Sequence, residues 1–169
     1  MKTSKQLYNI VVAALFAAMI FVLTFYTKFY FTTSGYIHLG DAAIYLAASM
    51  LPTPYAVGAA AIGGGLSDFI GGYGVFVPIT MVVKALLALC FSCKKNSIIN
   101  VRNIIAAVIC CIITVGGYFA FEIFYEGAGA FAELIPNLIQ AVASGVIYVV
   151  IGLAFDAAKI KNRLMAYNK

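Results

Sequence analysis

Asp41, Asp68 and Lys84 are three charged residues that fall at or inside long apolar stretches of this chain. An ionisable side chain placed in hydrocarbon costs roughly 2.5–3.5 kcal/mol on insertion scales, so it pairs, faces a cavity, or binds something. Near them in the apolar pattern stand Tyr36, Tyr73, Tyr118, Glu122, Asn137 and Gln140. Carboxylates accept from amines and hydroxyls, an ammonium donates to a ring oxygen, and an amide does both. Tyr and Phe add stacking surface. This is the chemistry of recognising a small molecule. A lipid-active enzyme would show clustered acids with a metal, or a His/Ser pair, and the single histidine, His38, falls in a loop. Cys90 and Cys93 form a CxxC on an apolar helix, and Cys110 and Cys111 are adjacent in another. Zinc needs about four converging ligands, so these thiols read as small buried hydrophobes. No metal or other cofactor is expected.

The elements that must position these groups are membrane helices. The chain has 169 residues, is 64% hydrophobic and carries only 10% charged residues, against about 25% in a soluble domain. Its mean hydropathy is +1.01. The pattern predicts one all-α membrane domain over 1–169, with six transmembrane helices near 7–26, 40–52, 54–71, 75–93, 104–122 and 136–156. The second is short for a span, and Asp41 is placed to cap it. The third has the small-residue core AAAIGGG, which lets neighbours approach its backbone, and ends in a GGYG turn signal. Pro136 suits the first turn of the sixth. Thr27–Leu39 reads as an aromatic loop, either an interfacial belt or the cover of a site. The opening MKTSKQ resembles a signal peptide, but the apolar run after it is too long for one, and the first helix is expected to be kept.

Basic residues set the orientation. With six spans and both termini cytoplasmic, the inner side holds Lys2, Lys5, Lys94, Lys95, Arg102, Lys159, Lys161, Arg163 and Lys169, nine of the eleven Lys and Arg. Lys28 alone lies in an outer loop. This satisfies the positive-inside rule, and it fails if the short second helix does not cross. The net charge of +5 is thus a matter of topology, and no nucleic-acid partner is implied. In this topology Asp41, Asp68 and Glu122 lie at outer helix ends, with Lys84, Asn137 and Gln140 in outer halves. The inner half is read as almost free of buried polar groups. That asymmetry predicts an outward pocket and argues against a continuous pore.

Each group has a structural alternative. Lys84 could hold helices together by pairing with Asp68 or Asp41, contact a ligand, or snorkel. Glu122 and Glu133 could be solvated loop acids. Asn137 and Gln140 could hydrogen-bond between helices, and the pairs Ala13/Ala17 and Ala14/Ala18 could serve close packing within the bundle. Tyr73 could anchor the chain at the interface.

The motifs AALFAAM, GYIHLGDAAIYLAA, SDFIGGYG and TMVVKALLAL resemble the substrate-binding S component of energy-coupling factor (ECF) vitamin transporters. The likeness covers most of the chain. The LGDA…SD…GY…K pattern is nearest to members assigned to hydroxymethylpyrimidine, pyridoxine or riboflavin. The resemblance implies a high-affinity vitamin-binding subunit of an ABC-type importer in the plasma membrane of a prokaryote. Its partners would be a transmembrane T subunit, two ATPase A subunits and the lipid bilayer. Small residues of the first helix would meet the T subunit, here Ala13, Ala14, Ala17 and Ala18. The Thr27–Leu39 loop would cover the site, and the implied site residues are Tyr36, Asp41, Asp68, Tyr73, Lys84, Tyr118, Glu122, Asn137 and Gln140. Stacking would fall to Phe29, Tyr30, Phe31, Tyr36 and Tyr73, because the chain has no tryptophan; this argues against thiamine. The expected ligand is a small aromatic vitamin or precursor of the pyridoxine or hydroxymethylpyrimidine class, with riboflavin or another micronutrient as the alternative. An autonomous small carrier or channel is a further alternative, and no enzymatic activity is expected.

Overall fold

In a computed structural model, which describes residues 2–30 and 36–166, the chain is almost entirely helical. The first helix, α1 (Lys2–Tyr26), leads to a two-stranded antiparallel hairpin, β1 (Phe29–Tyr30) and β2 (Tyr36–Ile37). Phe29 pairs with Ile37 and Tyr30 with Tyr36, so the segment read as an irregular loop contains a short sheet. Then follow α2 (Gly40–Met50), α3 (Thr53–Ile70), α4 (Val77–Cys90), α5 (Val101–Tyr125), α6 (Ala130–Ala157) and α7 (Ile160–Ala166). Short 3-10 turns precede α4 and α6.

Among the described residues, three helical stretches are long and apolar enough to cross a membrane by themselves: Ser4–Tyr26, Val101–Tyr125 and Gly127–Ala157. Large apolar side chains such as Leu15, Phe69, Ile112, Phe124 and Val150 stand exposed around the outside. A water-soluble protein does not show such a girdle, whereas lipid solvates it. The chain is an all-α membrane protein.

The short α2 is the axis of the structure. Each of its residues from Gly40 to Met50 is buried, because α1, α3, α4 and α6 pack around it. At 11 residues it is about 16 Å long. It is enclosed by its neighbours and does not line the lipid boundary. Asp41 does not cap it: Leu39 holds the cap position and no side chain accepts there. The Asp41 carboxylate turns inward instead, to a partner on α4.

The glycine run of α3 is a wedge between α1 and α4. A Cβ at Gly63 would lie 2.7 Å from the Ala17 carbonyl oxygen of α1. A Cβ at the next residue, Gly64, would lie 2.8 Å from Lys84 Cγ of α4. Backbone meets backbone at Gly63 and the Lys84 side chain at Gly64, with small residues at both contacts. Ala13 and Ala17 face this bundle core, whereas Ala14 and Ala18 are exposed.

Two sequence readings are corrected here. Helix α6 begins at Ala130, well before Pro136, which lies inside it. Proline there removes one backbone donor, a loss tolerated in helices of this class. The second correction concerns the end of the molecule that carries the termini, which is not free of buried polar groups. Asn103 Nδ2 donates to Ser49 Oγ at 3.2 Å, Ser92 O at 3.1 Å and Ile98 O at 3.0 Å. Tyr148 Oη donates to Ile98 O at 3.0 Å and lies 2.9 Å from Ser49 Oγ. Asp156 accepts from the N–H groups of Ile98 and Ile99 at 2.7 and 2.9 Å. Lys161 of α7 donates to the Ser49 and Lys95 carbonyls. These bonds satisfy the extended 91–100 connection, whose backbone has no helix to pair with. They tie down a loop and do not continue a polar path.

Candidate functional site

The polar residues of the opposite end come from the C-terminal parts of α1, α3 and α5 and the N-terminal parts of α2, α4 and α6. Up-and-down helices bring these ends together. They form an open cleft lined by Thr24, His38, Asp68, Tyr73, Phe76, Thr80, Tyr118, Glu122, Glu133, Asn137 and Gln140. Its mixed aromatic and polar lining suits a small organic ligand. The sequence-predicted residues Asp68, Tyr73, Tyr118, Glu122, Asn137 and Gln140 all line it. Tyr36 lies on β2, but its side chain, like the whole of Phe31, lies outside the described residues.

Asp41 and Lys84 sit beneath the cleft and not in its wall. Lys84 Nζ donates to Asp41 Oδ1 at 2.7 Å, with 1% and 0% side-chain exposure. Gln140 Nε2 donates to Asp41 Oδ2 at 3.1 Å, while its Oε1 accepts from the His38 backbone N–H at 3.3 Å. The Lys84 ammonium also lies 5.3 Å from the Tyr118 ring centroid, a cation–π distance. Tyr118 Oη is 3.2 Å from Thr80 Oγ1. The buried pair thus supports a floor of Gln140, Tyr118 and Thr80, on which the cleft opens.

Two buried oxygens in the wall have no hydrogen-bond partner among the described residues: Thr24 Oγ1 and Glu122 Oε2. Their residues are 2% and 6% exposed. A buried polar atom without a partner costs about 1–3 kcal/mol, so these atoms call for water or a ligand group. Glu133, which sequence reading left as a loop acid, is 4% exposed and lines the same wall.

Thr24, His38, Phe76, Thr80 and Glu133 line the cleft without having been singled out as site residues. His38 is buried and its Nδ1 accepts the Gly40 N–H at 3.1 Å, closing a turn into α2. At the rim, Lys28 lies over the Phe25 and Tyr73 rings at 5.2 and 4.9 Å. Partial burial lowers its pKa, against the opposing pull of Asp68. No group of three or more His, Cys, Asp or Glu side chains suited to a metal ion occurs among the described residues.

The family model described as "ECF-type riboflavin transporter, S component" matches residues 4–157. The chain belongs to that family. Its members are transporter subunits and not enzymes, which agrees with the ligand-recognition chemistry of the cleft. The fold agrees as well. A solved structure titled "Structure and mechanism of the S component of a bacterial ECF transporter" superposes with a TM-score of 0.65 at 16% identity, covering 90% of this chain and 97% of that one. No curated protein matches the sequence. The resemblance read from the sequence motifs is thereby established at the level of the family. At that level, S components bind a vitamin and couple to T and A subunits in a membrane.

Proposed function

We propose that this chain is the vitamin-capturing subunit of an ECF-type importer in a prokaryotic plasma membrane. In this reading 1–169 is one domain whose six main helices all cross the bilayer, with both termini cytoplasmic and the cleft open to the outside. The distribution of basic residues supports that orientation. The observation that carries the reading is the cleft, where aromatic surface and the partnerless Thr24 and Glu122 oxygens meet at the end away from the termini.

Riboflavin is the first candidate ligand, because the matching family model bears that name. Phe76, Tyr73 and Tyr118 would contact the rings. Asn137 would address the ring amide edge, and Glu122, Glu133 and Thr24 would take hydroxyl or N–H donors. Asp41, Lys84 and Gln140 would position this lining. Pyridoxine or hydroxymethylpyrimidine, expected from the motif pattern, is the second candidate and would engage the same acids through fewer groups. The exposed Ala14 and Ala18 on α1 would meet the T subunit, since Ala13 and Ala17 already pack internally. Two ATPase subunits would complete the importer.

Mass spectrometry of small molecules that copurify in detergent, followed by calorimetric titration of what is found, tests the proposal. One vitamin bound at one tight site supports it. A protein that carries nothing, and titrates with none of riboflavin, pyridoxine or hydroxymethylpyrimidine, refutes it.

A further inference from the structure

At the end that carries the termini, a buried cation lacks a counter-ion. Lys161 of α7 is 4% exposed, and no carboxylate among the described residues pairs with it. Its Nζ donates to the Ser49 carbonyl at 2.7 Å and to the Lys95 carbonyl. An ammonium has three N–H donors, so one is unspent. Asp156, the one acidic residue at this end, acts on Lys161 from a distance. Its oxygens are taken by the Ser97 hydroxyl and the Ile98 and Ile99 N–H groups. A charge buried without an opposite charge is costly, and two carbonyl dipoles offset only part of that cost. Lys161 also faces a groove. The chain turns at Lys159, whose φ of 53° is left-handed. Helix α7 then crosses the end of α2 to reach α1, where Tyr8 Oη donates to Leu164 O at 2.9 Å. Between these elements lies a small apolar groove, lined by Tyr8 and Val12 of α1, Met50 and Leu51 at the end of α2, and Lys161 and Leu164 of α7. Val11 and Leu15, three and seven residues beyond Tyr8, share its side of α1 and are 51% and 66% exposed. Lys159 and Arg163 are exposed on α7.

We infer that this groove binds the headgroup of an anionic phospholipid. A phosphate oxygen takes the third Lys161 N–H and supplies the missing negative charge, with Lys159 and Arg163 adding to the field. The groove is small, so the acyl chains lie outside it, along Val11 and Leu15. The site asks for an anion and a hydrocarbon surface in one molecule, and a phospholipid combines the two. In the proposed orientation this end is cytoplasmic, and basic pockets between membrane helices on that side select anionic headgroups. The inference rests on that orientation and is independent of the vitamin that the cleft takes.

The test is native mass spectrometry of the full-length protein released from nanodiscs of equal parts phosphatidylglycerol and phosphatidylcholine with the same acyl chains. Phosphatidylglycerol is expected to outnumber phosphatidylcholine on the wild-type protein by at least about fivefold, as one lysine facing an anionic headgroup implies. Lys161→Met should bring the ratio near unity. Lys159→Gln/Arg163→Gln, which alters exposed side chains alone, should lower it too and decides if Lys161→Met fails to fold. Excess inorganic phosphate should leave the retained lipid in place; displacement would make this a site for free phosphate and overturn the lipid assignment. Equal retention of both lipids by the wild type overturns the inference, and so does a preference that both variants keep. Variants that keep the lipid ratio but no longer copurify with a coexpressed T subunit would mark the groove as a protein contact instead. Vitamin titration should be unchanged in either variant, so failure of the vitamin-capturing role and failure of this inference are read separately.

Discussion

Lys84 Nζ lies 2.7 Å from Asp41 Oδ1 with both side chains sealed from solvent. The pair joins the first turn of the fully buried α2 to the middle of α4. Gln140 extends it to α6 and, through the His38 N–H, to the end of the hairpin. One buried charge pair therefore holds four elements around the floor of the cleft.

Removing one member leaves the other as an uncompensated buried charge, which costs about 3–5 kcal/mol. Lys84→Ala is thus expected to lower the melting temperature in detergent strongly, and to weaken ligand binding through loss of the floor. The double variant Asp41→Asn/Lys84→Met, which removes both charges, should recover much of that stability. A Lys84→Ala protein that melts like wild type would show that the pair does not support the fold.

The close approach of α1 and α3 yields a second expectation. A Cβ at Gly63 would press on the Ala17 carbonyl, a backbone atom that cannot rotate away. Gly63→Ala should destabilise the protein by about 1–3 kcal/mol, the usual range for overpacking. Ala18→Leu, on the exposed face of α1, should leave melting unchanged and reduce copurification of a coexpressed T subunit. Unchanged copurification would rule out that face for docking.

The polar network near the termini yields a third. Asn103 Nδ2 serves three acceptors from α2 and the 91–100 connection. Asn103→Ala strands the Ser92 carbonyl and the Ser92 N–H, which bonds Asn103 Oδ1, while Ser49 Oγ and Ile98 O keep Tyr148; each group left without a partner costs about 1–3 kcal/mol. The melting temperature should fall while titration of the bound vitamin is unaffected, since the site is at the far end. A parallel loss of affinity would contradict the separation of network and cleft.

Hydropathy made the helices legible, and the AAAIGGG run announced close packing at α3. Six residues of the cleft wall could be picked because polar side chains in apolar helices are rare and therefore visible. Thr24, Thr80 and Phe76 could not, since hydroxyls and rings at helix ends are ordinary. His38 and Glu133 looked like loop residues because burial there arises from the hairpin and the early start of α6. The Asn103 network was hidden for another reason. Its acceptors are backbone carbonyls of an extended connection, and a sequence does not show which carbonyls lack helical partners. Ala13 and Ala17 share a spacing with Ala14 and Ala18, and only the position of Gly63 tells the two faces apart.

His38 supplies a pH dependence. It lies in the turn before α2, and burial, reinforced by the nearby Lys84 charge and opposed by Asp41, pushes its pKa from 6.5 down to about 3. The native state thus keeps the ring neutral in a range where the unfolded chain takes up a proton. Because the folded value is the lower one, His38 contributes nothing to the pH dependence above about 6.5. Stability falls as pH drops from there towards 3, by at most about 1.4 kcal/mol per pH unit. His38→Asn removes the titration, and its side-chain oxygen can still accept the Gly40 N–H two residues on. Melting measured between pH 7.5 and pH 5 should show the variant losing less stability than wild type on acidification. Parallel profiles would mean that the imidazole is protonated at no cost in the native protein, and that its burial beside Lys84 does not hold in solution.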